Sequence, residues 1–555
     1  MPEIIYESPE FSLLPPKINL AETILHRGLA TPGHPLFIDP NTDKSYDIVA
    51  LRHITGRVAH LLRSEYGIKK GDVVGVYSMN QALMTAMYLG CISIGAIVSP
   101  LAMTYVAGEV RHALITAGIK KLFAQKHLRS NVEGALSMGP ADAEEETDRL
   151  TVTMKDVIDI DQFLLSADTP GPTVFPITLT VEELEEKPSF LCFSSGTTGK
   201  FKAVMLSQSN VASDVMMSVG IAPFMYNQQT QLMMLPQSHI FGLVMVLMCA
   251  PYTGCKVVVM QKFVLETYID YIIKYGVTSL MTVPPVLVLL AKHPYVVEKR
   301  DEISKTLRSI NSGAAPLSRQ LADAVKRNLP NTTIIQGYGL TETAPTSHLT
   351  KLNRPDEKVS KVGFLMAHQQ ARLIDEDGND VPKGHAGELC IRGPNVFLGY
   401  YRNPKANEAA FLPGRWFRTG DIAMVDEDNY WSIVDRAKEL IKSKGHQVAP
   451  AELEDLLLSH PDVNDSAVIG IYNEDEATEY PRAYVVLKPG SAAAANPSII
   501  CDFVASKVAR HKQLWGGVVV IDAIPKSVSG KILRRQLRER KGDKAFYSAK
   551  VKAKL

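Results

Sequence analysis

Cysteine is scarce in this sequence, and neither sign of charge dominates it. The 555 residues include six cysteines, scattered without a C-x-x-C spacing. A disulfide scaffold would be far denser, so we expect a reducing compartment. The 60 basic residues nearly balance the 59 acidic ones, which excludes a global field directed at nucleic acid or at a membrane surface.

Long apolar runs and leader segments are also missing. The most apolar stretch, Ile240 to Tyr252, is about 13 residues long, whereas a bilayer span needs roughly 20. The N-terminus is acidic and has neither the basic start nor the apolar run of a signal peptide. These absences predict a soluble intracellular protein.

What the chain does contain is an alternation of strands and helices. A β-branched run at Asp72 to Tyr77 leads into a helix-like segment, Gln81 to Ile94, and then into a second strand at Ala96 to Leu101. Similar strand-like runs recur at 121–124, 231–235, 256–260, 279–283 and 333–335. Strands that alternate with helices predict parallel sheets with helices on their faces, so the predicted fold class is α/β.

The character of the chain changes near residue 435, where Trp431 to Arg436 is predicted as a strand that enters a polar turn. We therefore predict a large N-terminal domain over 1–435 and a small α/β domain over 436–555. The last thirty residues carry 11 lysines and arginines against two acids. This basic segment either faces a polyanionic ligand or is a solvated surface.

The segment Phe193 to Lys202, which reads FSSGTTGKFK, is the most informative motif. It follows an apolar strand and precedes a helix-like run. Its glycines let the backbone approach an anion closely, and consecutive N–H groups, hydroxyls and lysines form an anion site. A Walker A loop is excluded because Phe201 follows Lys200 where that motif requires serine or threonine.

This motif resembles the phosphate loop of the adenylate-forming superfamily, which includes acyl-CoA synthetases, luciferases and peptide-synthetase adenylation domains. Within the superfamily the sequence is most similar to 4-coumarate–CoA ligase-like acyl-CoA ligases. The resemblance implies a large N-terminal adenylate-forming domain of stacked α/β subdomains and a smaller mobile C-terminal domain. Further segments agree in order and spacing: Gln336–Glu342, Trp416–Asp421, Asp435–Lys442, Gly445–Glu452 and Pro525–Ile532.

The resemblance also implies the nucleotide site. Glu342 is expected to hold Mg²⁺, and activation of a carboxylate with ATP needs positive groups and a metal at the α-phosphate. Asp421 is similar to the family's ligand for the ribose hydroxyls, and Arg436 to a second ribose contact. The full set expected to bind ATP or AMP is Ser194, Ser195, Gly196, Thr197, Thr198, Lys202, Gln336, Gly337, Thr341, Asp421 and Arg436.

Catalysis is expected to involve both domains. Lys531, in a Ser-Gly-Lys turn, is similar to the family's adenylation lysine, and Lys438 to its hinge residue. Rotation of the small domain would withdraw Lys531 and bring Lys442 and Gln447 to a second, CoA-dependent step. His239 completes the expected catalytic set. Binding of CoA is assigned by resemblance to Lys262, Lys444 and Gly445.

The acid pocket is expected to be lined by small or apolar residues, which predicts an uncharged apolar tail on the substrate. Phe241 and Met245 differ from the residues common in coumarate enzymes and argue against a phenolic substrate. The residues expected to line the pocket are Ile240, Phe241, Met245, Ala314, Gly337, Pro345 and Thr346.

Two other departures from the family pattern leave roles open. The phosphate loop ends in Lys200-Phe201-Lys202-Ala203 instead of the usual Gly-x-Pro-Lys-Gly. The sequence therefore leaves open whether Lys202 contacts the phosphate. His446 replaces an aromatic residue, and its protonation at lower pH would place charge near CoA.

The sequence therefore predicts an ATP-, Mg²⁺- and CoA-dependent ligase for a hydrophobic monocarboxylic acid, either aryl or cinnamic-type or a medium-chain fatty acid. Two alternatives stay open. One is an adenylating enzyme with another acceptor, as in carrier-protein loading or luciferase-like oxidation. The other is a non-catalytic nucleotide-binding scaffold. The last residues, Ala553-Lys554-Leu555, resemble a peroxisomal address read by an import receptor, which predicts a peroxisomal location. The location is cytoplasmic if the address is not read.

Overall fold

The computed structural model describes most of the chain and defines its helices and strands. The residues described are 3–8, 10, 12–138, 150–194, 201–221, 228–350, 358–436, 439–443, 446–474, 478–527 and 530–547. The mixed α/β class predicted from the sequence is confirmed. In the described parts of the chain, every helix is too short or too polar to span a bilayer.

The strands fall into three larger sheets and two smaller ones. In chain order they are β1 (Tyr6–Glu7), β2 (Phe37–Asp39), β3 (Lys44–Tyr46), β4 (Val73–Tyr77), β5 (Ile97–Leu101), β6 (Lys121–Ala124), β7 (Val157–Asp159), β8 (Pro188–Ser194), β9 (Lys202–Ser207), β10 (Thr230–Met233), β11 (Lys256–Val259), β12 (Ser279–Thr282), β13 (Ser309–Ser312), β14 (Thr333–Gly339), β15 (Thr346–Leu349), β16 (Phe364–Leu365), β17 (Gln370–Ile374), β18 (Gly387–Arg392), β19 (Gly399–Tyr400), β20 (Phe411–Leu412), β21 (Trp416–Val425), β22 (Trp431–Arg436), β23 (Ile441–Ser443), β24 (His446–Val448), β25 (Val463–Asn473), β26 (Thr478–Leu487), β27 (Val518–Val520) and β28 (Ala545–Phe546).

The helices lie mainly in the connections between parallel strands. In chain order they are α1 (Leu20–His26), α2 (Ile48–Ser64), α3 (Met84–Ser93), α4 (Ala107–Ala117), α5 (Arg129–Ser137), α6 (Ile160–Ala167), α7 (Val181–Glu186), α8 (Gln208–Ile221), α9 (Ile240–Gly242), α10 (Cys249–Thr253), α11 (Leu265–Lys274), α12 (Pro284–Lys292), α13 (Pro294–Ile303), α14 (Arg319–Asn328), α15 (Pro404–Ala410), α16 (Pro450–Leu458), α17 (Ser498–Ala505) and α18 (Arg534–Arg538). A π-helical segment, Leu243–Met248, joins α9 to α10.

The first sheet has the strand order β19-β9-β8-β5-β4-β6-β7. Strands β8, β5, β4, β6 and β7 are parallel, and β9 and β19 add antiparallel strands at one edge. All residues of β4 and β5 are buried, as expected for apolar parallel strands covered on both faces. The predicted strand–helix–strand unit at 72–101 is confirmed as β4, α3 and β5.

The second sheet has the order β16-β15-β14-β13-β12-β10-β11-β2-β3. Its six central strands, from β14 to β2, are parallel, and β15, β16 and β3 are antiparallel additions at the edges. One hydrophobic cluster joins both sheets through the intervening helices and includes Leu62 of α2, Leu89 of α3, Val215 of α8 and Val258 of β11. This arrangement brings the carboxyl ends of β12, β13 and β14 to one edge, where ligands bind in such sheets.

A third sheet, in the order β1-β17-β18-β21-β20 with β22 beside β21, is antiparallel throughout. The parallel pattern predicted from the sequence therefore does not extend to this part of the chain. Its last connection is a tight turn in which Asp426 Oδ1 accepts hydrogen bonds from the N–H groups of Asp428 and Tyr430. Short turns of this kind permit only antiparallel pairing.

The part of the chain after residue 440 has its own cores. Strands β25 to β28 form a four-stranded sheet, and β23 and β24 form a separate hairpin. Leu453 and Leu457 of α16 and Ile500 of α17 pack against this sheet in one cluster, and a second cluster lies around Tyr484. The predicted boundary at 435/436 falls at the end of β22 and stays a prediction.

Candidate active site

Ser194, the last described residue before the phosphate loop, lies beside the predicted metal ligand Glu342 between the first two sheets. Strand β8 ends at Ser194, and a 3₁₀ turn over Thr341–Thr343 follows β14. Thr341 and Glu342 are buried, and Ser194 Oγ donates a hydrogen bond to Glu342 Oε1 at 2.9 Å. The predicted loop residues Ser195, Gly196, Thr197 and Thr198 lie outside the described residues.

Tyr400, which no sequence motif singled out, completes the surroundings of Glu342. Its hydroxyl donates a hydrogen bond to the same Oε1 atom at 3.0 Å, and the Lys202 ammonium lies 4.5 Å from the centre of its ring. The Glu342 Oε1 atom thus accepts hydrogen bonds from the Ser194 and Tyr400 hydroxyls, and the Lys202 ammonium lies beside the Tyr400 ring.

Asp421 lies at a second charged cluster, on β21. The Tyr338 hydroxyl donates a hydrogen bond to Asp421 Oδ2 at 2.6 Å, and Arg436 Nε lies 3.4 Å from Oδ1. Burial raises the pKa of this carboxyl, while Arg436 and the Tyr338 hydroxyl oppose the rise. The predicted pair Asp421 and Arg436 is therefore brought together by the pairing of β21 with β22.

Lys531 reaches this cluster from the small domain. Its backbone N–H donates to Ser527 Oγ at 3.1 Å, and its carbonyl accepts from the Ser527 N–H at 2.8 Å. Burial, and then the positive charge of Arg436, lower the pKa of Lys531 to about 8, while Glu439, Asp421 and Glu342 oppose that shift. The ammonium is therefore partly desolvated among groups of the predicted nucleotide site.

The turn that carries Lys531 touches the large domain directly. Gly530 has a φ of +80°, and a Cβ on it would lie 2.6 Å from Cγ of Pro285, the second residue of α12. Glycine is needed here both for the left-handed backbone and for the close approach.

The residues predicted for the second step lie elsewhere on the small domain. Lys442 is exposed on the β23–β24 hairpin, and its N–H donates to Glu479 Oε2 at 2.7 Å. Gln447 is paired with it across the hairpin. The imidazole of His446 stacks on that of His511, with ring centres 4.3 Å apart. Lys262 is exposed beyond β11. The predicted residues Lys438, Lys444 and Gly445 lie outside the described residues.

His239 precedes α9 and caps it, because its Nδ1 accepts a hydrogen bond from the Phe241 N–H at 3.3 Å. Burial lowers the pKa of His239 to about 4, so its imidazole is neutral at neutral pH. A Cβ on Gly313 would lie 3.4 Å from the ring of Phe241 and 3.7 Å from the Gly337 carbonyl. The predicted pocket residue Phe241 therefore packs against the ends of β13 and β14.

The other predicted pocket residues surround this contact. Ile240, Met245, Pro345 and Thr346 are buried, and the Thr346 hydroxyl lies 3.2 Å from Met245 Sδ. Ala314 is exposed and has a φ of +67°, which is unusual for a residue with a side chain.

Gln336, predicted to bind the nucleotide, is buried on β14. Its Oε1 accepts a hydrogen bond from the Leu317 N–H at 2.7 Å, which fixes the loop that contains Ala314.

Sequence reasoning also missed Asp214, on α8. Its carboxyl is fully buried and accepts a hydrogen bond from the Thr346 N–H at 3.0 Å. The pocket residues themselves are apolar or small, as predicted, but an acid lies directly behind one of them. The one mark of Asp214 in the sequence is that it is the single charged residue in the run Gln208–Ile221.

Comparisons with known proteins agree with this geometry. The AMP-binding enzyme family matches residues 26–401, and the C-terminal domain of AMP-binding enzymes matches 452–531. A probable 4-coumarate–CoA ligase of Dictyostelium discoideum is 35% identical over 95% of this chain and 96% of its own. A probable CoA ligase, CCL5, of Humulus lupulus is 33% identical over 96% and 95%. The crystal structure of ATP-bound MatB from Rhodopseudomonas palustris is 25% identical, with a TM-score of 0.82 over 94% of this chain and 98% of that one.

The chain therefore belongs to the AMP-binding enzyme family, whose members form acyl adenylates. Its reaction is the AMP-forming ligation of a carboxylic acid to CoA, with ATP as the second substrate.

Proposed function

We propose that the enzyme activates a hydrophobic monocarboxylic acid, aryl or cinnamic-type or medium-chain fatty, as its adenylate and then transfers the acyl group to CoA. The observation that carries this proposal is the position of Lys531, which the small domain holds within the electrostatic reach of Asp421 and Glu342. A half-buried ammonium at that place suits a step in which two anions, a carboxylate and a triphosphate, must approach each other.

In the first step the acid oxygen attacks the α-phosphorus, the bond to the bridging oxygen breaks, and pyrophosphate leaves. Asp421 and Arg436 would hold the ribose end of ATP, and Lys531 would stabilise the charge that develops between the carboxylate and the α-phosphate. The neutral imidazole of His239 lies at the start of α9, beside Phe241. It would turn the reacting carboxylate toward the phosphate without adding a charge.

Glu342 fits a magnesium ion of the kind bound by one carboxylate, phosphate oxygens and water. Its Oε1 is occupied by the hydroxyls of Ser194 and Tyr400, which leaves Oε2 for a cation. Among the described residues no cluster of three or more His, Cys, Asp or Glu side chains could hold a metal alone. When bound, Mg²⁺ would neutralise phosphate charge.

In the second step the CoA sulfur attacks the acyl carbon and AMP leaves. We propose that the small domain, 436–555, turns about Lys438 for this step. The turn would withdraw Lys531 and carry the exposed hairpin residue Lys442, together with Gln447, Lys444 and Gly445, to the site. Lys262 would meet the CoA phosphates. An arrangement that serves one step at a time also excludes water from the adenylate.

The acid class rests on the pocket side chains. Ile240 and Met245 are almost fully buried and Phe241 covers the ends of two strands, so a tail that enters here meets hydrocarbon and sulfur. An apolar tail gains roughly 25 cal/mol for each Å² removed from water, whereas a charged tail would lose its hydration.

Release of pyrophosphate from ATP and Mg²⁺ tests the proposal, with each acid assayed in the presence and absence of CoA. The panel runs from acetate through octanoate and palmitate to phenylacetate, cinnamate and 4-coumarate. We expect a CoA-dependent thioester signal that peaks at one apolar acid. Pyrophosphate without a thioester would indicate a different acceptor. ATP binding without pyrophosphate from any acid would favour a non-catalytic scaffold.

We also propose peroxisomal import through Ala553-Lys554-Leu555, which lie outside the described residues. The proposal rests on the similarity of this tripeptide to a peroxisomal address. A fluorescent protein fused before the chain should co-localise with a peroxisomal marker and lose that location when the three residues are deleted. An unchanged distribution after the deletion would contradict the proposal.

A further inference from the structure

A polar network lies behind the acid pocket, centred on Asp214 of α8. The carboxyl is fully buried. Its Oδ1 accepts hydrogen bonds from the Thr346 N–H at 3.0 Å and from Asn395 Nδ2 at 3.2 Å. A buried carboxyl without partners would be costly, so these donors are what permits an acid at this position.

Asn395 and Gln369 extend the network around the start of β15. Asn395 Nδ2 also lies 2.5 and 2.8 Å from the carbonyl oxygens of Thr343 and Thr346, so its two hydrogens are shared among three acceptors that include Asp214 Oδ1. Gln369 Nε2 donates to the Thr346 carbonyl at 3.0 Å and to Asn395 Oδ1 at 2.8 Å. Both backbone polar groups of Thr346 are therefore occupied by the network.

The hydroxyl of Thr346 is occupied as well. Its Oγ1 lies 3.3 Å from Asp214 Oδ2 and 3.2 Å from Met245 Sδ. Ser218 Oγ, one turn along α8 from Asp214, lies 3.5 Å from Asp214 Oδ2 and 3.5 Å from Met245 Sδ. Burial also raises the pKa of Asp214 far above its usual range. The protonated carboxyl can then donate to Thr346 Oγ1, while the threonine proton points at the Met245 sulfur.

The consequence concerns the tail of the acid. Met245 and Thr346 are the pocket residues nearest this network, and every polar group of Thr346 already has a partner within the protein. A substrate tail that ends at Thr346 would thus find no free hydrogen-bonding group. A hydroxyl on that tail would lose its water without gaining a replacement partner.

We propose that Asp214 is a specificity-determining residue, which occupies the amide and hydroxyl of Thr346 and so makes the enzyme select acids whose tails carry no hydroxyl. This inference rests on the proposed function and narrows its substrate class to acids that are apolar to the end of the tail.

The test compares matched acids that differ by one hydroxyl: cinnamate with 4-coumarate, and octanoate with 8-hydroxyoctanoate. CoA thioester formation is measured with each, and the readout is the ratio of kcat/KM within a pair. For the wild type we expect the acid without the hydroxyl to be favoured by about tenfold to a hundredfold, the range for hydrophobic pockets that meet an added hydroxyl. A ratio near one in the wild type would overturn the proposal.

Two substitutions of Asp214 test whether its hydrogen bonds to Thr346 determine the ratio. Asp214→Asn keeps an acceptor for the Thr346 N–H and a donor for the Thr346 hydroxyl, so the ratio should stay within about twofold of the wild-type value. Asp214→Ala frees the amide and hydroxyl of Thr346, and the ratio should fall at least fivefold toward one. A wild-type ratio in Asp214→Ala, or an equal fall in Asp214→Asn, would overturn the proposal.

Thr346→Val keeps the proposal testable if Asp214→Ala does not fold. Valine removes the hydroxyl and with it one partner of Asp214 Oδ2, which still has the Ser218 hydroxyl 3.5 Å away. Because the substrate tail loses no partner, the ratio should change by less than about threefold. A larger change would show that the hydroxyl contacts the tail and would contradict the inference. Absence of thioester with every acid in the wild type would instead refute the proposed function, so the two failures are distinguishable.

Discussion

The two ends of the active site are built on opposite principles. At the nucleotide end, Asp421, Arg436, Glu342 and Lys531 place charges of both signs within reach of one another. At the acid end, the predicted pocket residues are small or apolar except for Thr346, and the Asp214 carboxyl behind Thr346 is fully buried and accepts hydrogen bonds from the Thr346 N–H and from Asn395. The nucleotide end gathers charged groups where a polyanion is proposed to bind, whereas the acid end keeps its carboxyl hydrogen-bonded within the protein.

The comparison also separates rigid from movable parts. Asp421 and Arg436 belong to paired strands of one sheet, whereas Lys531 arrives on a turn of the small domain. If the part of the chain beyond the proposed hinge Lys438 turns, the proposed ribose ligands Asp421 and Arg436 would stay with the third sheet, while the proposed adenylation lysine Lys531 would leave. The predictions that follow break this arrangement, beginning with the largest expected effect.

Removing the Lys531 ammonium should have the largest effect. Lys531→Ala should lower the rate of acid-dependent pyrophosphate release by about 10²- to 10³-fold, because a preorganised charge at the reacting phosphate is lost. Lys541→Met, at an exposed lysine of the same basic segment, is the control and should leave the rate within about twofold. A loss below tenfold in Lys531→Ala would contradict the role given to this lysine.

The lowered pKa of Lys531 predicts that the rate of adenylation falls at high pH. Since its pKa is about 8, kcat/KM for adenylation should fall above that pH, by about tenfold for each further unit. Lys531→Arg should be slower but should not show this fall, because arginine stays charged. The same fall in both proteins would assign it to another group.

The same shift has a consequence for stability with a definite sign. The pKa of Lys531 is lower in the folded protein than in the unfolded chain. Below pH 8 the lysine is charged in both states, and its full cost to the free energy of unfolding is present. That cost disappears as the pH rises toward 10.5.

Tyr400→Phe tests the support of Glu342. The ring and its contact with Lys202 remain, but one of the two hydrogen bonds to Oε1 is lost. We expect the Mg²⁺ concentration needed for ATP binding to rise about tenfold, as when an outer partner of a metal ligand is removed. Calorimetric titration of ATP at graded Mg²⁺, without acid, measures this.

Tyr401→Phe is the matched control for that titration. The Tyr401 ring lies 4.9 Å from the guanidinium of Arg402, away from the Glu342 carboxylate. Its Mg²⁺ requirement should match that of the wild type, and equal shifts in both variants would argue against a specific role for the Tyr400 hydroxyl.

Gly530→Ala should have the smallest effect, and it should slow the adenylation step alone. A methyl group would meet Pro285 across the domains and push the Lys531 turn outward. Adenylation should slow about fivefold, a barrier change of about 1 kcal/mol, while thioester formation from supplied acyl-AMP should not change. Gly542→Ala bears similar backbone strain, at φ +77°, with no atom within 4 Å of the new Cβ. It should leave both steps unaffected.

The difference between the two ends of the site also explains what the sequence could predict. Ser194, Thr341, Glu342, Asp421 and Lys531 lie in motifs that resemble those of the adenylate-forming superfamily, and this resemblance implied their roles. The parallel strands β4, β5, β11 and β12 are short runs rich in apolar residues, a pattern that predicts buried strands.

Asp214 and Tyr400 could not be predicted in this way. Their partners lie far along the chain, Thr346 at 132 residues from Asp214 and Glu342 at 58 from Tyr400. The residues next to each of them in the sequence do not indicate which distant residue it hydrogen-bonds. The antiparallel third sheet was missed for a related reason, since its pairing depends on turns such as the one at Asp426 and on contacts with the N-terminal strand β1.

A single-turnover experiment tests most directly the claim that this domain arrangement serves adenylation first. Enzyme, ATP, Mg²⁺ and the preferred acid are mixed without CoA, quenched and analysed by mass spectrometry, and CoA is added to a second portion before quenching. We predict acyl-AMP bound at up to one equivalent in the first portion and its conversion to acyl-CoA and AMP in the second. Thioester formation with ADP as the product, or without any acyl-AMP on the way, would contradict the account.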